Sequence, residues 1–166
     1  MTLRLILMRH AKSSWDNPRQ ADHDRPLNKR GRRSAEALGD WLRARNVIPG
    51  LALSSTSERT RATFERLRLP CPVEYLPGLY HAEPREMMGA LRGARHGTVL
   101  MLGHNPGIAE FAARLVSVPP AHGRFHDYPT CATLIAEFPQ SQWSDICYSS
   151  AHPVDFTIPR ELVQHP

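Results

Sequence analysis

Leu3-Arg4-Leu5-Ile6-Leu7-Met8 is a mostly apolar run with no turn residue inside it, and Arg9-His10 follows it directly. A run this short reads as a buried strand rather than a helix. A strand that is apolar on both faces needs cover on both sides, which points to a parallel sheet between helical layers. Sheets of that kind hold their ligands outside the carboxyl ends of the strands. An imidazole beside a guanidinium at that place suggests a nucleophile with its own anion clamp.

The rest of the chain alternates in the same way. Asn28 is a good cap for a helix to about Arg45, with Ala35, Leu38, Trp41 and Leu42 on one face. Pro49-Gly50 ends it and starts a strand at Leu51–Ser54. Ser55-Thr56-Ser57-Glu58 fits the Ser-x-x-Glu capping box, which predicts a helix from there to Leu67. Val73–Tyr75 reads as a short strand, Arg85–Leu91 as helical, and Thr98–Leu102 as a buried strand. Asn105 and Pro106 then predict a cap and a first helical position for a helix to about Val116. Ala132–Phe138 reads as a strand, with weaker strand signals at Ile146–Ser149 and Val154–Ile158. The expected fold is a single α/β domain over residues 1–166, a three-layer α/β/α sandwich with a mainly parallel central sheet.

Composition narrows the class. The 166 residues suit one domain, and 41% hydrophobic with 22% charged residues is ordinary for a globular protein. The apolar runs are too short to span a bilayer, and the stretch before Arg9 lacks a secretory signal pattern. Cys71, Cys131 and Cys147 form no C-x-x-C, which argues against a disulfide scaffold or zinc knuckle and fits a reducing cytoplasm. Net charge is +5, and only Lys12 and Lys29 of the 21 basic residues are lysines. Residues 1–68 carry 15 Lys+Arg against 7 Asp+Glu, so the basic excess is concentrated where Arg9-His10 lies. That imbalance implies anionic partners, and arginine favours bidentate recognition of phosphate or carboxylate. Arg30, Arg32 and Arg33 with Lys29 could steer an acidic phosphoprotein. Nucleic acid is disfavoured, since no aromatic residues interleave the basic cluster.

Three strand-to-helix junctions carry polar chemistry: Arg9-His10 after the first strand, Arg59 in the helix after the second, and His104 after Thr98–Leu102. In a parallel sheet all three share one edge. Two arginines, two histidines and two helix N-termini make a pocket suited to phosphate. Neighbouring cations disfavour an imidazolium, so Arg9 and Arg59 are expected to help keep His10 neutral and able to attack phosphorus. His104 is expected to donate hydrogen bonds to the phosphoryl group, and Lys12 and Ser13 to extend the pocket. The scheme needs no metal or other cofactor. His122 and His126 have the spacing of a helical metal pair, but Gly123 and Pro119-Pro120 argue against a helix there.

Arg9-His10-Ala11 resembles the Arg-His-Gly signature of the histidine phosphatase superfamily. Ser55-x-x-x-Arg59-x-x-x-Thr63 is similar to its second motif and Gly103-His104-Asn105-Pro106 to its third. The short chain, with Arg25-Pro26-Leu27 soon after the first motif, most resembles the SixA-like phosphohistidine phosphatases, from Leu3 to about Phe138. Ala11 stands where the family usually has Gly, and Thr56 where it often has Pro. The resemblance implies His10 as nucleophile, with Arg9, Arg59 and His104 binding phosphate. It also directs attention to Glu83 as a candidate general acid, in the region where larger members place a carboxylate, although a surface glutamate or helix cap before Pro84 is the favoured reading. A weak acid there favours phosphohistidine over alkyl phosphates, because imidazole leaves more readily than alkoxide. The expected function is metal-independent hydrolysis of protein phosphohistidine by a monomer. The rivals are a small-molecule phosphomonoesterase and a non-catalytic phosphate-binding module.

Overall fold

The computed structural model describes residues 2–163. Six strands form one mixed sheet: β1 (Leu3–Arg9), β2 (Leu51–Ser54), β3 (Val73–Tyr75), β4 (Thr98–Gly103), β5 (Thr133–Phe138) and β6 (His152–Thr157). Their order is β3-β2-β4-β1-β5-β6. The first four are parallel, while β5 runs antiparallel to β1 and β6 antiparallel to β5. The mainly parallel expectation therefore holds, and the four parallel strands are the ones that carry the junctions.

Four helices cover the sheet: α1 (Lys29–Ala44), α2 (Glu58–Leu67), α3 (Pro84–Arg92) and α4 (Gly107–Leu115). Alternation along β1 sorts the layers, because successive side chains of a strand point to opposite faces. Leu3, Leu5 and Leu7 join the core with α3 and α4. Ile6 and Met8 join the core with α1. Arg4 is accommodated because its cross-strand neighbour on β5 is Glu137, 2.6 Å from its guanidinium.

Several local expectations need correction. Ser57, not Ser55, caps α2, its side chain accepting from the Thr60 N–H. Ser55 is still tied to the sheet, since its N–H donates to the Leu102 carbonyl at 3.2 Å. Asn105 does not cap α4; its amide donates to the Asp127 and Tyr128 carbonyls, at 2.9 and 3.1 Å. The Asn105–Pro106 peptide is cis, Pro106 takes the cap position and α4 starts at Gly107. Ile146–Ser149 is not a strand: the Ile146 carbonyl is taken by the Arg92 side chain, at 2.8 Å from Nη2. Cys71, Cys131 and Cys147 are free thiols, with Cys147 exposed.

Close backbone approaches depend on glycine at Gly107 and Gly39, among others. A Cβ at Gly107 would lie 1.9 Å from the Ala82 carbonyl oxygen, so α4 can start against the segment before α3 only without a side chain there. A Cβ at Gly39 in α1 would lie 2.2 Å from the Leu67 carbonyl oxygen at the end of α2. Gly39 is remote from the cleft described below, so it tests packing alone. Gly39→Ala is expected to lower stability by about 2 kcal/mol in denaturant titration, because the obstructing atom is backbone and the helices must separate.

Candidate active site

β1 and β4 are adjacent, parallel and in register, with Arg9 opposite Gly103. The two chains leave the sheet side by side, and the His10 N–H donates to the Gly103 carbonyl at 3.1 Å. The rings of His10 and His104 consequently lie 5.2 Å apart. β2, on the other side of β4, delivers Arg59 from the first turns of α2. A cleft of about 350 Å³ opens at this edge, and its walls include Arg9, His10, Arg59 and His104. Lys12 and Ser13 line it as well. Ser13 is held by the Arg25 Nε–H at 3.2 Å. Glu83 does not: it is exposed at the cap of α3 with no side-chain capping bond.

His10 is buried, and its Nδ1 lies 2.7 Å from the Ala11 carbonyl oxygen. A carbonyl can only accept, so Nδ1 carries the hydrogen and Nε2 keeps its lone pair. Burial pushes the His10 pKa down to about 3, opposed by the Ala11 carbonyl and assisted by Arg9, Arg59 and Arg25. The expected effect of the two arginines is present, but desolvation outweighs it.

His104 is buried too, and its pKa is pushed down to about 2 by burial first, then by His10 and Arg59. Arg59 Nη2 lies 3.3 Å from His104 Nδ1, and Ser55 Oγ lies 2.8 Å from Nε2. A guanidinium cannot accept, so Nδ1 is the acceptor and the Nε2–H donates to Ser55. Both nitrogens are thus engaged, and in the free cleft His104 orients Arg59 instead of presenting a donor to a phosphoryl group.

Sequence reasoning passed over Asp22 and His81, which meet beside Tyr80. Asp22 lies in a short 3-10 turn (Asp22–Asp24) within the polar loop after β1. Arg59 donates to it twice, from Nη1 to its carbonyl at 2.7 Å and from Nη2 to Oδ2 at 3.1 Å. Tyr80 OH also donates to Oδ2, and His81 Nε2 lies 3.0 Å from it. Arg25 pairs with Oδ1 at 3.0 Å. Burial pushes the Asp22 carboxyl up, but hydrogen bonds from Tyr80, Arg59 and His81 outweigh it and hold the group well below the usual carboxylate range. No spacing or periodicity joins residues 22, 59 and 80–81; only the fold does.

Arg9 and Arg59 each keep a buried Nε–H with no partner among the described residues. Buried donors without acceptors are rare and cost roughly 1–3 kcal/mol each, and both of these belong to arginines that line the cleft. Among the described residues no three histidine, cysteine or acidic side chains come together as a metal-binding group. His122, half of the discounted histidine pair, hydrogen-bonds instead with Glu161 at 3.0 Å.

A mixed α/β sheet with a neutral histidine in an arginine-walled anion cleft defines a class of phosphate-handling protein. The profile of the histidine phosphatase superfamily (branch 1) matches residues 5–90. An uncharacterized protein of Mycobacterium tuberculosis (strain H37Rv) is 33% identical over 160 residues, spanning 92% of this chain and 100% of its own. The chain belongs to the histidine phosphatase superfamily. A Nakamurella multipartitia protein provisionally named phosphohistidine phosphatase SixA superposes with a TM-score of 0.82 at 27% identity, over 96% of this chain and 97% of its own. The protein histidine phosphatase SixA complexed with tungstate has the same fold, with a TM-score of 0.76 at 22% identity over 97% and 100% of the two chains. No helix of the described residues is long and apolar enough to cross a membrane.

The two depressed histidines make stability pH-dependent. Both stay neutral in the fold, whereas in the unfolded chain each takes up a proton as pH falls through 6.5. The unfolded state then binds more protons, so stability falls with falling pH. Between pH 6 and about pH 4 each histidine contributes a slope approaching ~1.4 kcal/mol per pH unit. His10→Asn, measured by thermal and denaturant unfolding across that window, is expected to reduce the slope by about one histidine's share. The ionised Asp22 adds its own loss only below the ordinary carboxylate range.

Proposed function

We propose that the protein is a phosphatase acting through a covalent phosphohistidine, with protein phosphohistidine as its substrate. The observation that carries this is the His10 Nε2 lone pair, held in a cleft whose arginines keep buried donors unused. Nε2 attacks phosphorus while Arg9 and Arg59 take the phosphoryl oxygens, where donors fixed in advance stabilise the charge that develops. Arg59 turns from Asp22 and His104 toward the anion. Lys12 and Ser13 border the same cleft and extend the oxygen-binding wall. Water then splits the phospho-His10 bond and frees phosphate. The protein's own residues supply every group in this scheme.

Two features favour phosphohistidine on a protein. Among the residues lining the cleft Asp22 is the one carboxylate, and it is held ionised; Glu83 lies outside. No carboxylic acid therefore stands ready for an alkoxide, whereas imidazole departs as a neutral molecule when its far nitrogen carries a proton. Beside the cleft, and joined to it through Lys12 and Thr130, lies a groove of about 180 Å³ whose walls carry Arg30, Arg124 and Arg160 and no carboxylate. Its charge suits acidic residues flanking a phosphorylated side chain, as on a phosphorelay domain. The SixA proteins that share the fold carry the names phosphohistidine phosphatase and protein histidine phosphatase.

Rapid-quench labelling with a ranked set of substrates tests the reading. A phosphohistidine protein with acidic flanks is expected to leave acid-labile, alkali-stable phosphate on His10 and to react faster than phosphoserine peptides or sugar phosphates. His10→Ala should show no label and no turnover. Arg30→Glu with Arg160→Glu should raise KM for the acidic phosphoprotein about tenfold while sparing small aryl phosphates. Preference for a small phosphomonoester, indifferent to those charge reversals, would replace the protein substrate with a metabolite.

A further inference from the structure

The cleft has a nucleophile and an anion clamp, but its leaving-group side still lacks an assigned proton carrier. The segment that faces His104 from across the cleft, just before α3, contains one. His81 lines the cleft, and its ring lies 5.1 Å from that of His104. Its Nε2 is 3.0 Å from Asp22 Oδ2, while its Nδ1 makes no hydrogen bond to any described residue. The side chain is half-exposed, as a group that meets substrate must be.

The backbone holds His81 in place. It has φ of 54°, a left-handed conformation that costs most side chains energy. The next residue, Ala82, packs its carbonyl against Gly107 so closely that no Cβ fits between them. The segment is thus locked to the start of α4, next to His104. Strain of this kind persists where surrounding packing imposes it, and it clusters at functional sites.

Other groups of the cleft are otherwise engaged. Arg9, Arg25 and Arg59 hold their protons through catalysis, because guanidinium is effectively never deprotonated. His10 is the nucleophile, and both His104 nitrogens are occupied. The Tyr80 hydroxyl donates to Asp22, and burial and Asp22 raise its pKa, which makes it a reluctant acid.

We propose that His81, oriented by Asp22, is the proton carrier of the reaction. This rests on the phosphatase reading and adds its leaving-group chemistry. In the first step His10 Nε2 forms a bond to phosphorus and the bond to the leaving atom breaks. Protonated His81 passes its Nδ1 proton to that atom when it is an ester oxygen, and remains neutral with its Nε2–H on Asp22. In the second step water attacks phospho-His10 and neutral His81 takes one proton from it. The P–N bond breaks, phosphate leaves, and His10 and His81 return to their starting forms. An imidazole leaving group needs the first proton transfer least; with such a substrate His81 starts neutral, takes the proton from water in the second step and then returns it to solvent.

The test compares esters of different leaving-group strength, using kcat/KM because it reports the phosphorylation of His10. His81→Asn keeps a residue that tolerates positive φ and can still hydrogen-bond Asp22, yet carries no transferable proton. It is expected to lower kcat/KM on phenyl phosphate about 100-fold, and on 2,4-dinitrophenyl phosphate only about threefold, since the better leaving group needs no acid. Added imidazole is expected to restore phenyl phosphate turnover in His81→Gly, where glycine suits the backbone and leaves room for the ring. Asp22→Asn should repeat the ester-selective loss, on top of a smaller loss common to both esters through Arg59. Equal losses on the two esters in His81→Asn, or no loss, would overturn the assignment while leaving the phosphatase intact. A wild-type protein inert on aryl esters and phosphohistidine alike would overturn the phosphatase reading, and this one with it.

Discussion

The parallel ladder between β1 and β4 sets everything else at the site. With Arg9 opposite Gly103, the two strands end level with one another, and the next residues out are His10 and, through Gly103, His104. A slip of one residue would turn the side chains of β1 to the opposite face and exchange its two cores. Leu3, Leu5 and Leu7 on one face and Ile6 and Met8 on the other therefore fix the register by burial alone. The placement of Arg9, His10 and His104 at the candidate site is a by-product of core packing on these two strands.

Electrostatics at this edge works by exclusion of charge from the histidines and concentration of it on the arginines. Desolvation is the first cause keeping both His10 and His104 neutral, and the guanidiniums reinforce it. Asp22 answers the cationic excess. It binds Arg59 and Arg25 in the free cleft, and so occupies donors that a phosphate would otherwise claim. This one ionised carboxylate offsets part of the positive charge of the cleft, where Arg9, Lys12, Arg25 and Arg59 stand against it. The same carboxylate fixes the ring of His81, so the anion clamp and the leaving-group side share one support.

Much of this is legible in the sequence, for a physical reason. Arg9, His10 and His104 lie at or next to short apolar runs, and Arg59 lies in the first turn of a helix, so their positions follow from local periodicity and the rule that parallel strands share an edge. Asp22 and His81 sit in irregular segments far apart in sequence and meet only through tertiary folding. Glu83, two residues from His81, is an exposed cap residue of α3, as its place before Pro84 suggests. Ser55 and Asn105 show a second limit. Each fits a capping pattern, yet each side chain serves the site instead, on His104 in one case and on the Asp127 and Tyr128 carbonyls in the other. The antiparallel direction of β5 was equally silent, since an apolar run carries no sign of its direction.

The central claim is that the Ala11 carbonyl, by holding the hydrogen on His10 Nδ1, makes Nε2 the attacking atom. Phosphorus–nitrogen couplings in the NMR spectrum of the trapped phosphoenzyme, prepared with nitrogen-15-labelled histidine, read this directly. The account predicts one phosphoryl group, on Nε2 of His10. Phosphate on Nδ1, or on His81 or His104 in place of His10, would contradict it.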